Sequence, residues 1–170
     1  MKTSSNLIYP EIKVKEENKD YARLILDLYS GKNSEKSFTD QFIYEITLFD
    51  NKYTNIIKEI ITVEIKHEEI LGKLIKKLGI EPMYIFPNCI DNGYKYWNTS
   101  YIKYNKDFYS FIEYNINNKK ELIEKYENVI SLIEDENINS ILKRIIIDEN
   151  IHVDILKNIL TDLKNNIDNN

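Results

Sequence analysis

The sequence predicts an all-α protein, a four-helix bundle in which two antiparallel helix hairpins are joined by a long crossover. Four amphipathic stripes, with apolar residues every three or four positions, follow one another along the chain. Only 4 Gly and 3 Pro occur among 170 residues, which favours long helices over many short strands. A chain of this length forms one domain with a sizeable core, and a bundle is the commonest way to bury four such stripes.

The elements follow in order along the chain. Residues 1–18 are polar without a clear period, so we predict an extended N-terminal arm there and a bundle domain at 19–165. The domain opens with a short amphipathic helix that ends at Gly31. A long connection at about 80–105 holds most of the turn residues, and we expect Trp97 to anchor it on the bundle. The four helices of the bundle are predicted at about 34–50, 53–78, 106–133 and 138–163.

Charge and cysteine content narrow the function classes. The formal net charge is -5 and the basic residues do not cluster, so we expect no nucleic-acid partner. No apolar run reaches membrane-spanning length and no charged-then-apolar leader starts at Met1, so we expect no membrane association and a cytoplasmic location. Cys89 is the single cysteine, which excludes an internal disulfide and a cysteine-rich zinc or rubredoxin-type iron site. Any bound metal must therefore take oxygen and imidazole ligands.

Each of the two histidines in the chain follows a glutamate by three residues. Residues three apart share one face of a helix, so each pair presents a carboxylate and an imidazole to the same point. Both pairs fall in the gaps of the predicted apolar stripes, where an unpaired carboxylate is costly to bury. Segment 64–75 also aligns without gaps on 149–160, as an internal repeat of the two hairpins. The pairs are Glu64 with His67 and Glu149 with His152.

The first helix carries Glu35 at the same stripe position, one turn before Phe38 and two turns before Phe42. Two Glu-x-x-His helices with one glutamate from each of two other helices form the ligand set of dinuclear iron and manganese carboxylate bundles. Such oxygen and imidazole ligands suit iron or manganese. The alternative is a set of surface pairs on helices whose faces are misassigned. The candidate metal ligands are Glu35, Glu64, His67, Glu149 and His152.

A family resemblance rests on these same segments. "GKNSEKSFTDQFIY" (31–44) and "TVEIKHEEILGKLIKKLGIEPMY" (62–84) resemble the ferritin-like di-metal carboxylate proteins related to manganese catalases and rubrerythrins. "YWNTSYIKY" (96–104) and "ILKRIIIDENIHVDILKNIL" (141–160) are similar to the clostridial-type branch of that group. The resemblance covers roughly residues 9–163. It implies that the five candidates are metal ligands, that the glutamates of the two Glu-x-x-His pairs bridge two ions, and that the protein acts on peroxide or dioxygen.

One position departs from that pattern. The resemblance implies a further glutamate seven residues before an aromatic residue, as Glu35 stands before Phe42, and seven residues before Tyr126 stands Lys119. The stripe of the third helix reaches the same lysine. An ammonium about 3.5 Å from a divalent ion costs roughly 9 kcal/mol at an effective dielectric constant of 20. Lys119 and a fully occupied second metal position should therefore exclude each other.

We therefore predict one bound ion in preference to two, held by Glu35, Glu64, His67 and Glu149. The ion beside His152 should be weak or missing, with Lys119 salt-bridged to one of the glutamates in its place. In the alternative, the third helix is rotated or broken near "NINNKK", which leaves Lys119 in solvent.

Two function classes follow. The first is a peroxide-consuming oxidoreductase of the catalase or peroxidase type, working as a homo-oligomer and, in the rubrerythrin-like case, with an external electron donor. The second is a non-catalytic structural or assembly protein, similar to spore-coat relatives, with a degenerate metal site. Tyr44 and Tyr126 are either phenols beside the metal or ordinary core residues, and Asp148 either hydrogen-bonds a ligand histidine or is solvated.

Overall fold

Five α-helices dominate the part of the chain that the structure, a computed structural model, describes: residues 2–87, 93–104 and 106–168. The helices are α1 (Lys19–Ser30), α2 (Glu35–Leu48), α3 (Thr54–Lys77), α4 (Phe108–Leu132) and α5 (Glu136–Asp168). α2 and α3 form one hairpin and α4 and α5 form the other, while α1 packs against α3 and against the crossover. The predicted all-α class and four-helix bundle are confirmed.

Capping residues fix where the helices begin and end. The Ser34 hydroxyl accepts a hydrogen bond of 3.2 Å from the Ser37 amide, so α2 begins with Glu35. The Asp107 carboxylate caps α4 in the same way, which places its start two residues later than predicted. Gly79, at a φ of 88°, takes the left-handed conformation that ends α3.

The crossover between the hairpins contains a small antiparallel sheet that the sequence did not predict. β1 (Ile85–Pro87) pairs with β2 (Tyr94–Tyr96), and strands of three residues are too short to show a period. Trp97 anchors the crossover as predicted, because its indole nitrogen donates to the Ser37 hydroxyl at 3.0 Å. Cys89 lies outside the described residues.

Residues 2–18 contain neither helix nor strand and lie against the bundle. Tyr9, Ile12 and Val14 pack on the hydrophobic core. The Lys15 amide donates to the Asp135 carboxylate at 2.6 Å, at the turn between α4 and α5. The division of the chain into an arm at 1–18 and a bundle at 19–165 stays a prediction.

The core follows the predicted stripes, with Phe42, Phe111 and Tyr126 fully buried. Phe42 and Phe111 join the two hairpins through an edge-on ring contact at 5.9 Å. At mid-bundle this apolar core gives way to buried acidic, basic and imidazole side chains. Among the described helices, none combines the length and the apolar character that crossing a membrane requires.

Candidate metal centre

The four bundle helices bring all five candidate ligands and Lys119 to one place inside the protein. Glu35 stands on the first turn of α2, Lys119 is near the middle of α4, and each Glu-x-x-His pair projects from α3 or α5. Every one of these six side chains has an exposed fraction of 0%. The reading of the pairs as surface residues on misassigned faces is therefore wrong, and so is the reading of Lys119 as solvated.

Four of the candidates form a compact cluster that could hold an ion. Glu35, Glu64, His67 and Glu149 each offer one ligand atom, and these atoms all lie within 4.8 Å of one another. Bonds of about 2.1 Å to a divalent ion keep any two ligands within about 4.2 Å, so a contraction of less than about 1 Å would bring them all into range. His152 stands beside this group and is not part of it. The assignment of these side chains as metal ligands stays a prediction.

His67 turns its Nδ1 atom towards the carboxylates. That atom lies 3.3 Å from Oε2 of Glu35 and 3.2 Å from Oε1 of Glu149. On the other side of the ring, Nε2 lies 3.1 Å from the Tyr9 hydroxyl and 3.4 Å from Oδ2 of Asp148. Hydrogen bonds at Nε2 fix the ring so that Nδ1 can act as the ligand atom.

His152 is arranged in the same sense. Its Nε2 atom donates to the carbonyl oxygen of Thr3 at 2.8 Å, and a carbonyl can only accept. Its Nδ1 atom lies 2.8 Å from Oε1 of Glu64 and 3.4 Å from Oε1 of Glu149. Both histidines therefore direct Nδ1 into the site.

Lys119 bridges two of the candidate ligands. Its ammonium nitrogen donates to Oε1 of Glu64 at 2.7 Å and to Oε2 of Glu149 at 2.5 Å. It also lies 4.1 Å from the centre of the Phe38 ring, a cation–π contact. The predicted salt bridge is thus present with both glutamates. The ammonium and Nδ1 of His152 meet the same oxygen, Oε1 of Glu64, so the ammonium lies among the carboxylates that a second ion would need.

The buried oxygens of the site also fit a cation. Oε2 of Glu64 is buried without a hydrogen bond, and Oε1 of Glu149 faces the Nδ1 atoms of His67 and His152 at 3.2 and 3.4 Å. Buried polar atoms in native proteins normally have a hydrogen-bond partner, and one without a partner calls for an explanation such as ion binding. The donor set of carboxylate oxygens and an imidazole nitrogen therefore fits a divalent metal ion.

The surroundings shift the pKa of Glu35 upwards and the pKa values of Glu64 and Glu149 downwards. Burial, reinforced by the charge of Glu149, raises the pKa of Glu35 to about 8. Burial also opposes ionisation of Glu64 and Glu149, yet Lys119 and His152 outweigh it and lower the pKa of both. Without metal, Lys119 therefore acts as the counter-ion of Glu64 and Glu149, and Glu35 retains a proton into the neutral range.

The basic groups shift in the complementary direction. Burial lowers the pKa of Lys119, but Glu149 and Glu64 more than reverse this and raise it above its ordinary value. Burial likewise opposes the charging of His67 and His152, and their carboxylate neighbours raise the pKa of both rings. A metal ion that binds Nδ1 must therefore displace a proton from the imidazole.

The two tyrosines have different roles. Tyr126 is fully buried and its hydroxyl donates a short hydrogen bond to Oε1 of Glu35. Burial and the Glu35 charge raise the pKa of this phenol well above its ordinary value, so it remains a donor. Tyr44 instead makes an edge-on contact with Tyr104 at 5.1 Å, as ordinary packing. Tyr126 is thus the phenol that holds a candidate ligand.

Asp148 hydrogen-bonds a histidine, as one of the two expectations held. It is buried, contacts His67, and forms an ion pair of 2.7 Å with Arg144 one turn away on α5. Burial raises its pKa, but its bonds to His67, Tyr9, Ser5 and Arg144 outweigh this and lower it. Sequence reasoning missed Tyr9 and Thr3, because contacts between the arm and α5 leave no periodic signal.

Comparisons with known proteins agree with this architecture. A family model described as Rubrerythrin matches residues 43–160. A manganese catalase from Anabaena superposes with a TM-score of 0.84 at 21% identity, covering 96% of this chain and 81% of the other. A search among curated protein sequences finds no match.

Two further solved structures share the fold. A bacterioferritin from Desulfovibrio desulfuricans, described with a diiron site, gives a TM-score of 0.68 at 19% identity, covering 86% of this chain and 84% of the other. A ferritin-like, diiron-carboxylate protein from Bacillus anthracis gives 0.61 at 22% identity, covering 83% and 97%. At such identities the similarity shows a common ferritin-like fold and does not transfer an activity.

Proposed function

This chain belongs to the rubrerythrin family, and on that premise we propose that it binds iron or manganese and reacts with peroxide or dioxygen. The observation that carries the proposal is the cluster of Glu35, Glu64, His67 and Glu149, whose ligand atoms gather within 4.8 Å in the core. Three carboxylates in one apolar core are hard to reconcile with packing alone, because each ionised carboxylate is costly to bury without a neighbouring positive charge.

A single ion per chain is the occupancy that the charges favour. Glu64, Glu149 and Glu35 supply three negative charges at most, and Lys119 neutralises one of them. The remainder balances one divalent cation. The four members of the cluster would hold this ion on the His67 side, and His152 would keep its hydrogen bonds.

When bound, an iron or manganese ion would supply the electron transfer that peroxide or dioxygen chemistry requires. The chain's own residues would prepare the site for it. Tyr126 holds one oxygen of Glu35, and His67 is oriented from outside by Asp148 and Tyr9. The surrounding apolar core excludes bulk water. A peroxide-consuming enzyme of this type would work in the cytoplasm as a homo-oligomer, and a peroxidase would need an external electron donor.

One observation favours a second, non-catalytic function. Lys119 ties Glu64 on α3 to Glu149 on α5 and so joins the two hairpins through buried ion pairs without any metal. Ion pairs between the hairpins would stabilise a structural or assembly protein as well as an enzyme. In this case, the ion would stabilise the bundle or be dispensable.

Metal content and peroxide turnover together test the proposal. Metal-free protein is loaded with Mn(II) or, without oxygen, with Fe(II), then freed of excess metal and assayed for metal per chain. We expect about one ion per chain, together with peroxide consumption faster than that of the same concentration of free metal. One ion without turnover supports the structural function. Two ions contradict the single-ion site, and no bound ion rejects the metal site altogether.

A further inference from the structure

The candidate metal site is sealed. All five candidate ligands have an exposed fraction of 0%, so an ion cannot reach them unless part of the surrounding wall moves. The glutamates are enclosed by the bundle helices, whose core packing holds them in place. The histidines differ, because their outer Nε2 atoms face the N-terminal arm, which contains neither helix nor strand.

The arm contacts both histidines directly. The Thr3 carbonyl accepts from Nε2 of His152 at 2.8 Å, and the Tyr9 hydroxyl lies 3.1 Å from Nε2 of His67. The Tyr9 hydroxyl also donates a short hydrogen bond to Asp148, so its oxygen can accept a hydrogen bond from Nε2–H of His67. Two points of the arm thus set which nitrogen of each ring faces the carboxylates.

A polar clamp on α5 holds the arm. The Asp148 carboxylate accepts from the Ser5 amide at 2.7 Å and from the Ser4 hydroxyl at 3.0 Å. Arg144 donates to the carbonyls of Leu7 and Ser5 at 2.8 and 3.1 Å, and its guanidinium lies 4.2 Å from the Tyr9 ring centre. These groups can exchange their partners for water when the arm leaves.

Apart from the Tyr9 ring, which packs on the core, apolar burial contributes little to holding this part of the arm. Leu7 and Ile8 are 59% and 92% exposed, so the apolar side chains between the clamp contacts stay largely in water. Segments with few buried apolar contacts open at lower free energy than the packed helices beside them. The arm is therefore the wall that can open most easily.

A surface groove lies on the outer side of Tyr9. Its volume is about 360 Å³, and Ser4 and Tyr9 form one side while Val63 and Ile65 of α3 form part of the other. Tyr9 thus lines the groove and contacts His67 at the same time. Displacement of this one side chain would connect the groove with the imidazole.

We propose that residues 3–9 form a movable wall of the metal site, which orients both histidines when docked and opens the path for the ion when released. The inference rests on the proposed metal-binding function and adds the route of the ion and the residues that control it. Because coupling between two binding events is reciprocal, a bound ion should favour the docked arm, and a docked arm should retain the ion.

Tyr9→Phe tests the inference, because it keeps the ring on Arg144 and removes the hydroxyl that contacts His67 and Asp148. The control is Tyr53→Phe, which removes a hydroxyl bonded to Asp162 on a different part of α5. The probe is Zn(II), which takes oxygen and imidazole ligands and is diamagnetic. Loss of one such hydrogen bond should speed Zn(II) release to a chelator by about threefold to tenfold in Tyr9→Phe, with no change in Tyr53→Phe.

Two further measurements report on the arm itself. Hydrogen exchange of residues 2–9 should slow when Zn(II) binds the wild-type protein, and slow less in Tyr9→Phe. The two histidines of the chain also allow ¹⁵N spectra in which each ring is resolved. Nδ1 of His67 should be the metal-bound nitrogen in the wild type. In Tyr9→Phe the signal of metal-bound Nδ1 should be weaker, or signals of both ring nitrogens should appear as metal-bound.

The outcomes separate this inference from the proposed function. Equal rates of Zn(II) release from both variants would overturn the movable wall and leave the metal site unaffected. The same holds if bound Zn(II) does not change the hydrogen exchange of residues 2–9. Because titration of Zn(II) into the wild-type protein comes first, absence of binding there rejects the metal site and the movable wall together. A destabilised Tyr9→Phe would show itself as a lower unfolding midpoint, and Arg144→Lys, which loses the Leu7 contact, then serves as the second variant.

Discussion

The ammonium nitrogen of Lys119 lies 2.7 Å from Oε1 of Glu64, in the centre of the bundle, where two hairpins meet. The resemblance to di-metal carboxylate proteins implies a glutamate at the lysine position. A fixed positive charge therefore stands among the ligands that a second metal ion would use. The occupancy of the site and its stability without metal follow from this arrangement.

Lys119→Glu should restore the second metal position. The substitution removes the ammonium and supplies a fourth carboxylate, so the charge balances two divalent ions. We expect the Mn(II) content to rise from about one to about two ions per chain, measured by elemental analysis after removal of free metal. Lys120→Glu is the matched control, since it makes the same charge change on the exposed neighbour and should leave the content at one. Unchanged content in both variants would show that the lysine does not block a metal position.

The two histidines should differ in their effect on metal binding. His67 belongs to the four-member cluster, whereas His152 bonds to Thr3 and meets the carboxylates that Lys119 holds. We expect His67→Gln to weaken Mn(II) binding by about 100-fold or more, and His152→Gln to weaken it by about tenfold or less. Isothermal titration measures both affinities. Equal losses would place the ion between the two histidines and contradict the single site on the His67 side.

Lys119→Met should strongly destabilise the metal-free protein. The change leaves Glu64 and Glu149 buried without their cation, and breaking a buried ion pair from one side costs about 3–5 kcal/mol. Urea unfolding in the presence of a chelator measures the loss. Addition of Mn(II) should recover much of it, because the ion replaces the lost charge. Lys120→Met should change the stability by less than about 0.5 kcal/mol. A stable Lys119→Met protein would show that the two glutamates are protonated when the lysine is absent.

The stability of the metal-free protein should fall as pH rises. Folding raises the pKa of Glu35 from 4.5 to about 8. Between those two pH values the folded protein keeps a proton that the unfolded chain has lost, so the free energy of unfolding declines as pH rises. His67 and His152 act in the same direction: their pKa is raised by folding, so the stability they add is present below about 6.5 and is lost as pH rises through their folded values. Metal affinity should rise over the same range, because the ion competes with those protons.

Urea unfolding with chelator, followed from about pH 5 to about pH 8, checks this dependence. Glu35→Gln should flatten the curve, because it removes the group with the largest carboxyl shift towards neutral pH. With Mn(II) present, the wild-type curve should flatten or reverse. Stability that rises with pH in the metal-free protein would mean that Glu35 ionises at its ordinary pKa.

Helical periodicity made most of the site predictable from the sequence. A helix places residues three and four apart on one face. The apolar stripes therefore predicted which polar residues are buried before the partner helices were known: Glu64, His67, Lys119, Glu149 and His152. The ends of α2 and α3 were also readable, because Ser34 and Gly79 act on backbone groups close to them. These features depend on interactions between residues close in sequence, so the sequence was sufficient to predict them.

The sequence by itself therefore determined the fold class, the buried face of each helix and the residues that share the site. The tertiary structure decided which of them touch: that Lys119 bonds to both glutamates, that both histidines direct Nδ1 into the site, and that Tyr9 reaches His67. Period and spacing carry no information about a contact between the irregular arm and α5, more than a hundred residues away. Such contacts depend on the packing of whole helices, which brings the distant parts of the chain to one point.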